Sequence, residues 1–263
     1  MCARVGANAA PPERNSVKSE ETGVGAEGAV QPEPLRPPTF VDHVVNAIVA
    51  RAALGRILPG SRIKELALAK ELGISRAPIR EGLRMLVALG VVENTPYQGM
   101  RLAPLSPERV RQINEVRLEL EKLSLREIPD LKKNEALRRT LDHLIEDMKA
   151  AARKEDRLAL ATLDADFHEA LMRAAKNPVL LKLWQMLRPQ LVVIFGLATL
   201  KKPLRRVAEE HRSLLAGLMS SSADRVAALM KEHILADNLS IDFLSIPPPD
   251  DRPGRVRPRH DSD

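Results

Sequence analysis

The stretch ELGISRAPIREGLRML, residues 71–86, reads as the end of one helix, a tight turn and the start of another. Gly73 is suited to end the first helix, because glycine readily adopts the left-handed conformation found after helix ends. Ser75 can cap the second helix by accepting a bond from its first-turn amides. Pro78 then falls in the first turn, where its missing N–H had no intrahelical partner. The stretch predicts two helices joined by a short glycine turn.

The second of these helices has two chemically different faces. Its apolar side chains recur at helical spacing and are expected to face a core, at Ile79, Leu83 and Leu86. Another face carries Arg76, Arg80 and Arg84, one in every four residues. A basic helix after a tight turn fits the geometry that places a recognition helix in the DNA major groove. Arg76 and Arg80 can donate to guanine or phosphate, and Ser75 can bond phosphate or a base edge. The alternative is a solvated helix with scattered arginines.

Two short apolar runs, VVE and MRL, follow this helix and flank NTPYQG, whose proline and glycine favour a turn. With helical patterns at residues 40–55, 64–72 and 76–89, they predict a winged helix-turn-helix domain over residues 39–103. Gln98 and Gly99 at the hairpin tip could enter the minor groove, where glycine allows close approach of the backbone. Residues 51–101 contain nine Lys/Arg against four Glu, which concentrates positive charge in this part of the chain.

Residues 56–102 closely resemble the DNA-binding half of the GntR family of bacterial transcription regulators. The resemblance rests on a proline-glycine pair, a Glu-Leu-Ala helix, the Ser-Arg-x-Pro-x-Arg-Glu segment and a glycine-tipped wing. It implies that seven residues lie against DNA: Lys64, Ser75, Arg76, Ala77, Pro78, Arg80 and Gly99. Gly82 departs from the family's usual alanine, and glycine within a helix costs about 1 kcal/mol.

Composition bounds the rest of the chain. Hydrophobic residues make up 44% and aromatic residues only 2%, so the core is expected to be aliphatic and mainly helical. The single cysteine, Cys2, excludes an internal disulfide framework. We find neither a signal sequence nor a stretch approaching the roughly 20 apolar residues of a membrane span. We therefore expect a cytoplasmic protein with no membrane partner.

Residues 104–245 show helical periodicity interrupted by turn signals, which predicts an all-α antiparallel bundle of about six helices. Ser106 is a plausible N-cap for the first, with Pro107 at its first position. Residues 1–38 and 246–263 are rich in proline and charged or small residues and are expected to be disordered tails, the second of them basic.

Four polar residues occupy core-facing positions in the predicted bundle. Asp164 and His168 are four residues apart and share one helix face, while His211 and His233 replace aliphatic residues in two later helices. A buried imidazole needs a partner, and each histidine taken alone is more simply explained by a hydrogen bond. Together, three histidines and one aspartate fit a site for a divalent transition metal, either Zn²⁺ or an ion such as Ni, Mn or Fe.

The bundle resembles the helical ligand-binding domain, called FCD, of the FadR branch of the GntR family. The resemblance rests on NEVRLELE, LDADFHEALMRAAKNPVL and a late pair of histidines, and it strengthens the metal interpretation. Arg117 lies on the inward row of the first bundle helix, and its guanidinium can bind an effector carboxylate through two parallel hydrogen bonds. An equally supported alternative is an internal ion pair with Glu121, four residues later.

These observations favour a ligand-responsive transcription regulator, more often a repressor than an activator in this family. It would bind a near-palindromic double-stranded DNA operator as a homodimer and sense a small carboxylate effector. A metal-dependent hydrolase is a weaker hypothesis, because no general base or nucleophile is evident beside the candidate ligands. A DNA-binding protein with a purely structural metal is the third. Neither the effector, the operator nor the native metal follows from the sequence.

Overall fold

The structure, a computed structural model, describes residues 37–97, 99–129, 131–220, 222–238 and 243. Within these residues the chain is mainly α-helical, as predicted, and its only sheet is a two-stranded hairpin. The predicted tails, residues 1–38 and 246–263, lie outside the described residues except for residues 37 and 38. Gln98, at the predicted wing tip, also lies outside them.

The amino-terminal part forms the winged helix-turn-helix that the sequence predicts. A reciprocal capping box between Thr39 and Asp42 starts the first helix. Gly73, with φ +65°, ends the second helix in the left-handed conformation. The hairpin is antiparallel, with Val92 opposite Leu102 and Thr95 opposite Gly99. The elements are α1 (Phe40–Ala53), α2 (Glu65–Leu72), α3 (Arg76–Ala88), β1 (Val92–Thr95) and β2 (Gly99–Leu102).

Six further α-helices and one short 3-10 helix, Leu131–Lys133, make up the carboxy-terminal part of the described chain. Ser106 caps the first of them through its side chain, with Pro107 at the first position, as expected. Asn134, Asp156 and Asn177 cap the next three in the same way. The six helices are α4 (Pro107–Glu127), α5 (Glu135–Arg153), α6 (Arg157–Ala174), α7 (Pro178–Ala198), α8 (Leu204–Ser220) and α9 (Ala223–Asn238).

Packing joins the two parts around one continuous aliphatic core. Helix α1 contacts α3 on one side and α7 of the bundle on another. Within the bundle, α6 lies against α5 and α7, and α9 lies against α4 and α8. This arrangement brings the inner faces of α4, α6, α8 and α9 toward the same interior region.

Two expectations about the recognition helix need correction. Ser75 is the N-cap residue of α3, but its side chain makes no capping hydrogen bond, so its hydroxyl is not used within the helix. Gly82 is not simply a weak helix former. A Cβ at this position would lie 2.7 Å from Cγ1 of the buried Val44 side chain, so glycine is what allows α1 to approach α3 this closely.

The expectation that no segment is long and apolar enough for a membrane span also needs correction. Among the described helices, α7 meets that requirement by length and composition. Its carboxy-terminal half, from Leu191 to Ala198, is buried against the rest of the protein. A core helix of a globular protein has this same character, so the apolar composition of α7 is explained by its position in the fold.

Candidate DNA-binding surface and candidate metal centre

The basic face of α3 is open to solvent. Ile79, Leu83 and Leu86 are fully buried beneath it, as the periodicity predicted. The predicted DNA-contacting residues of this region are exposed at Lys64, Ser75, Arg76, Ala77 and Arg80, while Pro78 is partly buried. These exposed residues lie at the start of α3, except Lys64, which directly precedes α2.

Arg80 on this surface already has an acidic neighbour. Its Nε donates to Oε2 of Glu65 over 2.9 Å, and both side chains remain partly exposed. A guanidinium has five N–H donors in a fixed plane, so a bond through Nε leaves the terminal amino groups to face a ligand. Glu65 thus orients Arg80 without covering it, a contact that periodicity alone did not indicate.

The hairpin tip carries an exposed residue that was not among the predicted DNA-contacting residues. Tyr97, the only tyrosine in the chain, is fully exposed and has φ +62°, in the region that favours glycine. Gly99, two residues later, also has a positive φ of +77° and starts β2. Tyr97 could have been identified from the sequence as a single aromatic residue in a turn bounded by proline and glycine.

The four predicted metal ligands converge in the bundle interior. His168 Nε2 lies 3.3 Å from His233 Nε2 and 3.6 Å from Asp164 Oδ1. His211 Nε2 lies 3.4 Å from the same Asp164 oxygen. Ligand atoms around a tetrahedral zinc ion at about 2.0 Å are themselves about 3.3 Å apart. The spacing therefore suits a small cation, and the ligand nitrogens of the three histidines all lie within 4.8 Å of one another.

The hydrogen bonds of His211 determine which of its nitrogens faces this cluster. Nδ1 lies 2.8 Å from the carbonyl oxygen of Val207, which can only accept, so Nδ1 carries the proton and donates. Nε2 is buried, has no hydrogen-bond partner and faces the Asp164 carboxylate, which also accepts. Two acceptors in this position repel each other unless a proton or a cation lies between them.

The sequence indicated only an ion pair between Glu121 and Arg117. In the structure Glu121 also belongs to the histidine cluster. It is fully buried and uses both carboxylate oxygens. Oε1 accepts from Arg117 Nε over 2.6 Å, and Oε2 lies 2.7 Å from His168 Nδ1. The alternative proposed for Arg117, an ion pair four residues apart, is therefore present. The contact with His168 fixes that ring so that its Nε2 faces the other histidines.

Burial and charge change the proton affinities of these groups. Burial lowers the pKa of His168 and of His233 well below the usual value, and neighbouring Arg117 and His211 add to the effect. Burial raises the pKa of Glu121, against the opposing charge of Arg117. Burial alone would raise the pKa of Asp164, but the adjacent imidazoles and Arg117 outweigh this effect and lower that pKa. His168 and His233 are therefore neutral near pH 7, the form that ligates metals.

A small cavity adjoins the cluster, with a volume of about 30 Å³. Arg117, Asp164, His211 and His233 line it on one side, and the end of α7 lines it on another. Arg117 is almost fully buried, stacks over the Phe195 ring at 4.8 Å, and its Nη2 atom has no hydrogen-bond partner. A buried guanidinium donor without a partner is costly, and an acceptor within reach of Nη2 would remove that cost.

Comparison with known proteins agrees with both halves of the fold. The family model described as "Bacterial regulatory proteins, gntR family" matches residues 40–102, and the FCD domain model matches residues 112–236. The "Probable D-xylose utilization operon transcriptional repressor" of Paenarthrobacter nicotinovorans is 30% identical over 200 residues, covering 75% of this chain and 87% of that protein.

The chain belongs to the GntR family, in the FadR branch with an FCD domain. A second GntR relative, the "Gluconate operon transcriptional repressor" of Bacillus subtilis, is 27% identical over 66% of this chain and 70% of its own length. The solved structure of E. coli McbR/YncC has the same fold, with a TM-score of 0.61 and 21% identity over 76% of this chain and 95% of that one. This GntR-family chain is a DNA-binding transcription regulator and not an enzyme, which removes the hydrolase hypothesis.

Proposed function

We propose that this GntR-family regulator is a ligand-responsive repressor that binds a palindromic operator as a homodimer. Its effector is a small organic acid, sensed beside a divalent cation in the helical bundle. The observation that carries the proposal is that two residues lining one cavity each have an unsatisfied buried atom, His211 Nε2 and Arg117 Nη2. One requires a cation or proton and the other an acceptor, so a metal with a carboxylate beside it satisfies both.

The donor set favours a transition metal over Mg²⁺ or Ca²⁺. Three imidazole nitrogens and one carboxylate oxygen suit Zn²⁺, Ni²⁺, Mn²⁺ or Fe²⁺, and they do not select among them. When bound, the cation would supply positive charge and open positions for an effector's oxygen atoms. Glu121 bonds both Arg117 and His168, so the chain itself orients the proposed effector-binding and metal-binding side chains.

Two observations support an organic acid as the effector. Arg117 lines the cavity and has a buried terminal donor without a partner, and guanidinium groups bind carboxylates with planar, paired hydrogen bonds. One relative is named for the gluconate operon, and gluconate is a small carboxylate. The D-xylose operon relative and the gluconate operon relative are both named repressors, which supports repression rather than activation by this protein.

An exposed apolar stripe on α7 supports a homodimer. Val179, Leu183 and Met186 are 69%, 48% and 47% exposed, and their spacing places them on one helix face. Val116, on the neighbouring helix α4, is also exposed. A second copy packing against this stripe would bury these side chains and hold two α3 helices for two operator half-sites. Like other operator-binding regulators, the protein is expected to act in the cytoplasm.

DNA binding by the purified protein tests the recognition surface. A binding site is first selected from random double-stranded DNA, and affinity for it is measured by fluorescence anisotropy. We expect Arg76→Ala and Arg80→Ala each to weaken specific binding at least tenfold while the oligomeric state is unchanged. Arg139→Ala, which removes an exposed arginine from α5, is the matched control. Retained specific binding in both α3 variants would contradict the assignment of the recognition helix.

A thermal shift screen tests the sensor half, with metal-loaded protein and with protein stripped by EDTA. We expect small carboxylic acids to raise the melting temperature only when metal is present, because ligand bound to the folded state stabilises it. A metal-dependent rise in melting temperature with no response to any acid would instead support a purely structural metal.

A further inference from the structure

One large aliphatic side chain lies among the charged residues of the candidate DNA-binding surface. Leu66, in the first turn of α2, is 70% exposed, the largest exposed fraction of any leucine that the structure describes. The apolar side chains through which α2 packs on the core are instead Leu68, Ala69 and Leu72. The core therefore gains little from Leu66, whose side chain is accessible to a binding partner.

A hydrogen bond holds the start of α2 beside the recognition helix α3. Glu65, the residue directly before Leu66, accepts from Arg80 Nε over 2.9 Å. Consecutive Cα atoms are about 3.8 Å apart, so Leu66 is one residue away from a side chain bonded to Arg80. Lys64, on the other side of Glu65, is exposed as well. The cations that flank Leu66 in this way favour a polyanion, and not the apolar face of another protein, as the partner that covers it.

We propose that Leu66 contacts the 5-methyl group of a thymine in the operator and makes the protein selective for that base. The inference rests on the proposed function, since it assumes that α3 lies in the major groove. Base edges in that groove present hydrogen-bond donors and acceptors, and the thymine methyl is the apolar group among them. A leucine side chain has no donor or acceptor, so at a polar base edge it would displace water without replacing the lost hydrogen bonds.

The bond between Glu65 and Arg80 also relates this thymine to a guanine. Arg80 keeps its terminal amino groups for a base, and guanine offers the two acceptors N7 and O6 to such a pair of donors. Because Leu66 directly follows Glu65, the two contacts fall in the same half-site. Base pairs are spaced about 3.4 Å along the helix axis, so we expect the thymine within about three base pairs of that guanine.

Removal of single methyl groups from the DNA tests the contact. A binding site is selected from random double-stranded DNA, and each thymine in it is replaced in turn by deoxyuridine, which lacks only the 5-methyl group. The affinity of the full-length protein is measured by fluorescence anisotropy. We expect at least one replacement in each half-site to weaken binding about fourfold, which corresponds to the roughly 0.8 kcal/mol of a buried methyl-sized group.

Leu66→Ala shows whether Leu66 makes that contact. We expect this variant to bind the unmodified site about fourfold more weakly and to lose the difference between thymine and deoxyuridine at one position of each half-site. Leu66→Met keeps an apolar side chain of similar length and should retain the difference. Phe40→Ala, which removes a similarly exposed apolar side chain (68%) from α1, is the control and should also retain it.

Two results would overturn the inference while leaving the proposed function intact. One is a thymine preference that survives in Leu66→Ala at every position of the site. The other is a change in the oligomeric state of Leu66→Ala, measured by light scattering, which would show that a second copy of the chain covers Leu66. A wild-type protein that selects no DNA sequence would instead contradict the proposed function, and this inference with it.

Discussion

At the scale of single residues, Glu121 connects the two halves of the proposed sensor. Its carboxylate contacts Arg117 through one oxygen and His168 through the other, and all three side chains are buried. Arg117 is the residue we assign to the effector, and His168 is a candidate metal ligand. Glu121 touches neither ligand itself, so its role is to position the two residues that do.

Glu121→Gln keeps the side-chain shape but removes the charge that orients His168. We expect the affinity for Zn²⁺ to fall about 10- to 100-fold, the usual effect of losing such an orienting carboxylate. Competition with a chromophoric chelator measures this, and circular dichroism checks that the variant is folded. Glu119→Gln, an exposed position two residues earlier on α4, is the control. Unchanged zinc affinity in a folded Glu121→Gln protein would show that the contact does not support the metal site.

Gly82 shows how a packing contact reverses a local preference. Alanine is favoured over glycine within helices by about 1 kcal/mol, so helix propensity alone predicts that Gly82→Ala stabilises α3. A Cβ at this position would stand 2.7 Å from Cγ1 and 2.9 Å from Cβ of Val44. Val44 is fully buried, and overpacking of such a site costs about 1–3 kcal/mol.

We therefore expect Gly82→Ala to lower the free energy of unfolding by about 1 kcal/mol or more, measured by urea denaturation. The double variant Gly82→Ala/Val44→Ala should lose less than the sum of its two single variants, because the second change removes the group that collides. A more stable Gly82→Ala protein would mean that α1 and α3 adjust at little cost.

At the scale of the helix, α7 contacts both halves of the molecule. Phe195, Ala198 and Thr199 line the small cavity. On another face of the same turns, Gly196 lies against Ala53 at the end of α1, where an added Cβ would be 2.6 Å from the Ala53 carbonyl oxygen. Movement of this helix end on ligand binding would therefore displace α1, which packs against α3.

Gly196→Ala tests this route. The added methyl group meets backbone atoms of Ala53, which cannot rotate away, so α1 and α7 must separate. We expect the variant to bind metal and acid as before but to lose most of the effect of acid on operator affinity. Gln185→Ala, an exposed position near the middle of α7, should leave that effect intact. A full response in Gly196→Ala, measured by anisotropy, would show that the signal takes another path.

At the scale of the whole molecule, the local pattern of the sequence predicted the elements but not all of the contacts between them. The helix start at Ser106 and the helix end at Gly73 were predictable, because caps and turns depend on neighbouring residues. The shared helix face of Asp164 and His168 followed from their four-residue spacing.

The features that the sequence did not predict have a common physical cause. The bond between Glu121 and His168 joins residues 47 apart in sequence, and a Cβ at Gly82 would collide with a side chain of a different helix. The periodicity of a single helix cannot predict either contact. The free hydroxyl of Ser75 and the exposed Tyr97 also depend on detailed backbone geometry at a turn. Which groups lack a partner, as at Arg117 Nη2, only becomes visible once the core is packed.

The central claim is that a metal-dependent sensor in the bundle controls the DNA affinity of α3. The most direct measurement is the operator affinity of the full-length protein, with and without a saturating acid, in the zinc-loaded and in the EDTA-stripped state. We expect the acid to change the affinity about 5- to 150-fold, the range of typical allosteric coupling, in the zinc-loaded protein only. An operator affinity that does not respond to any bound acid, or that responds equally without metal, would contradict the account.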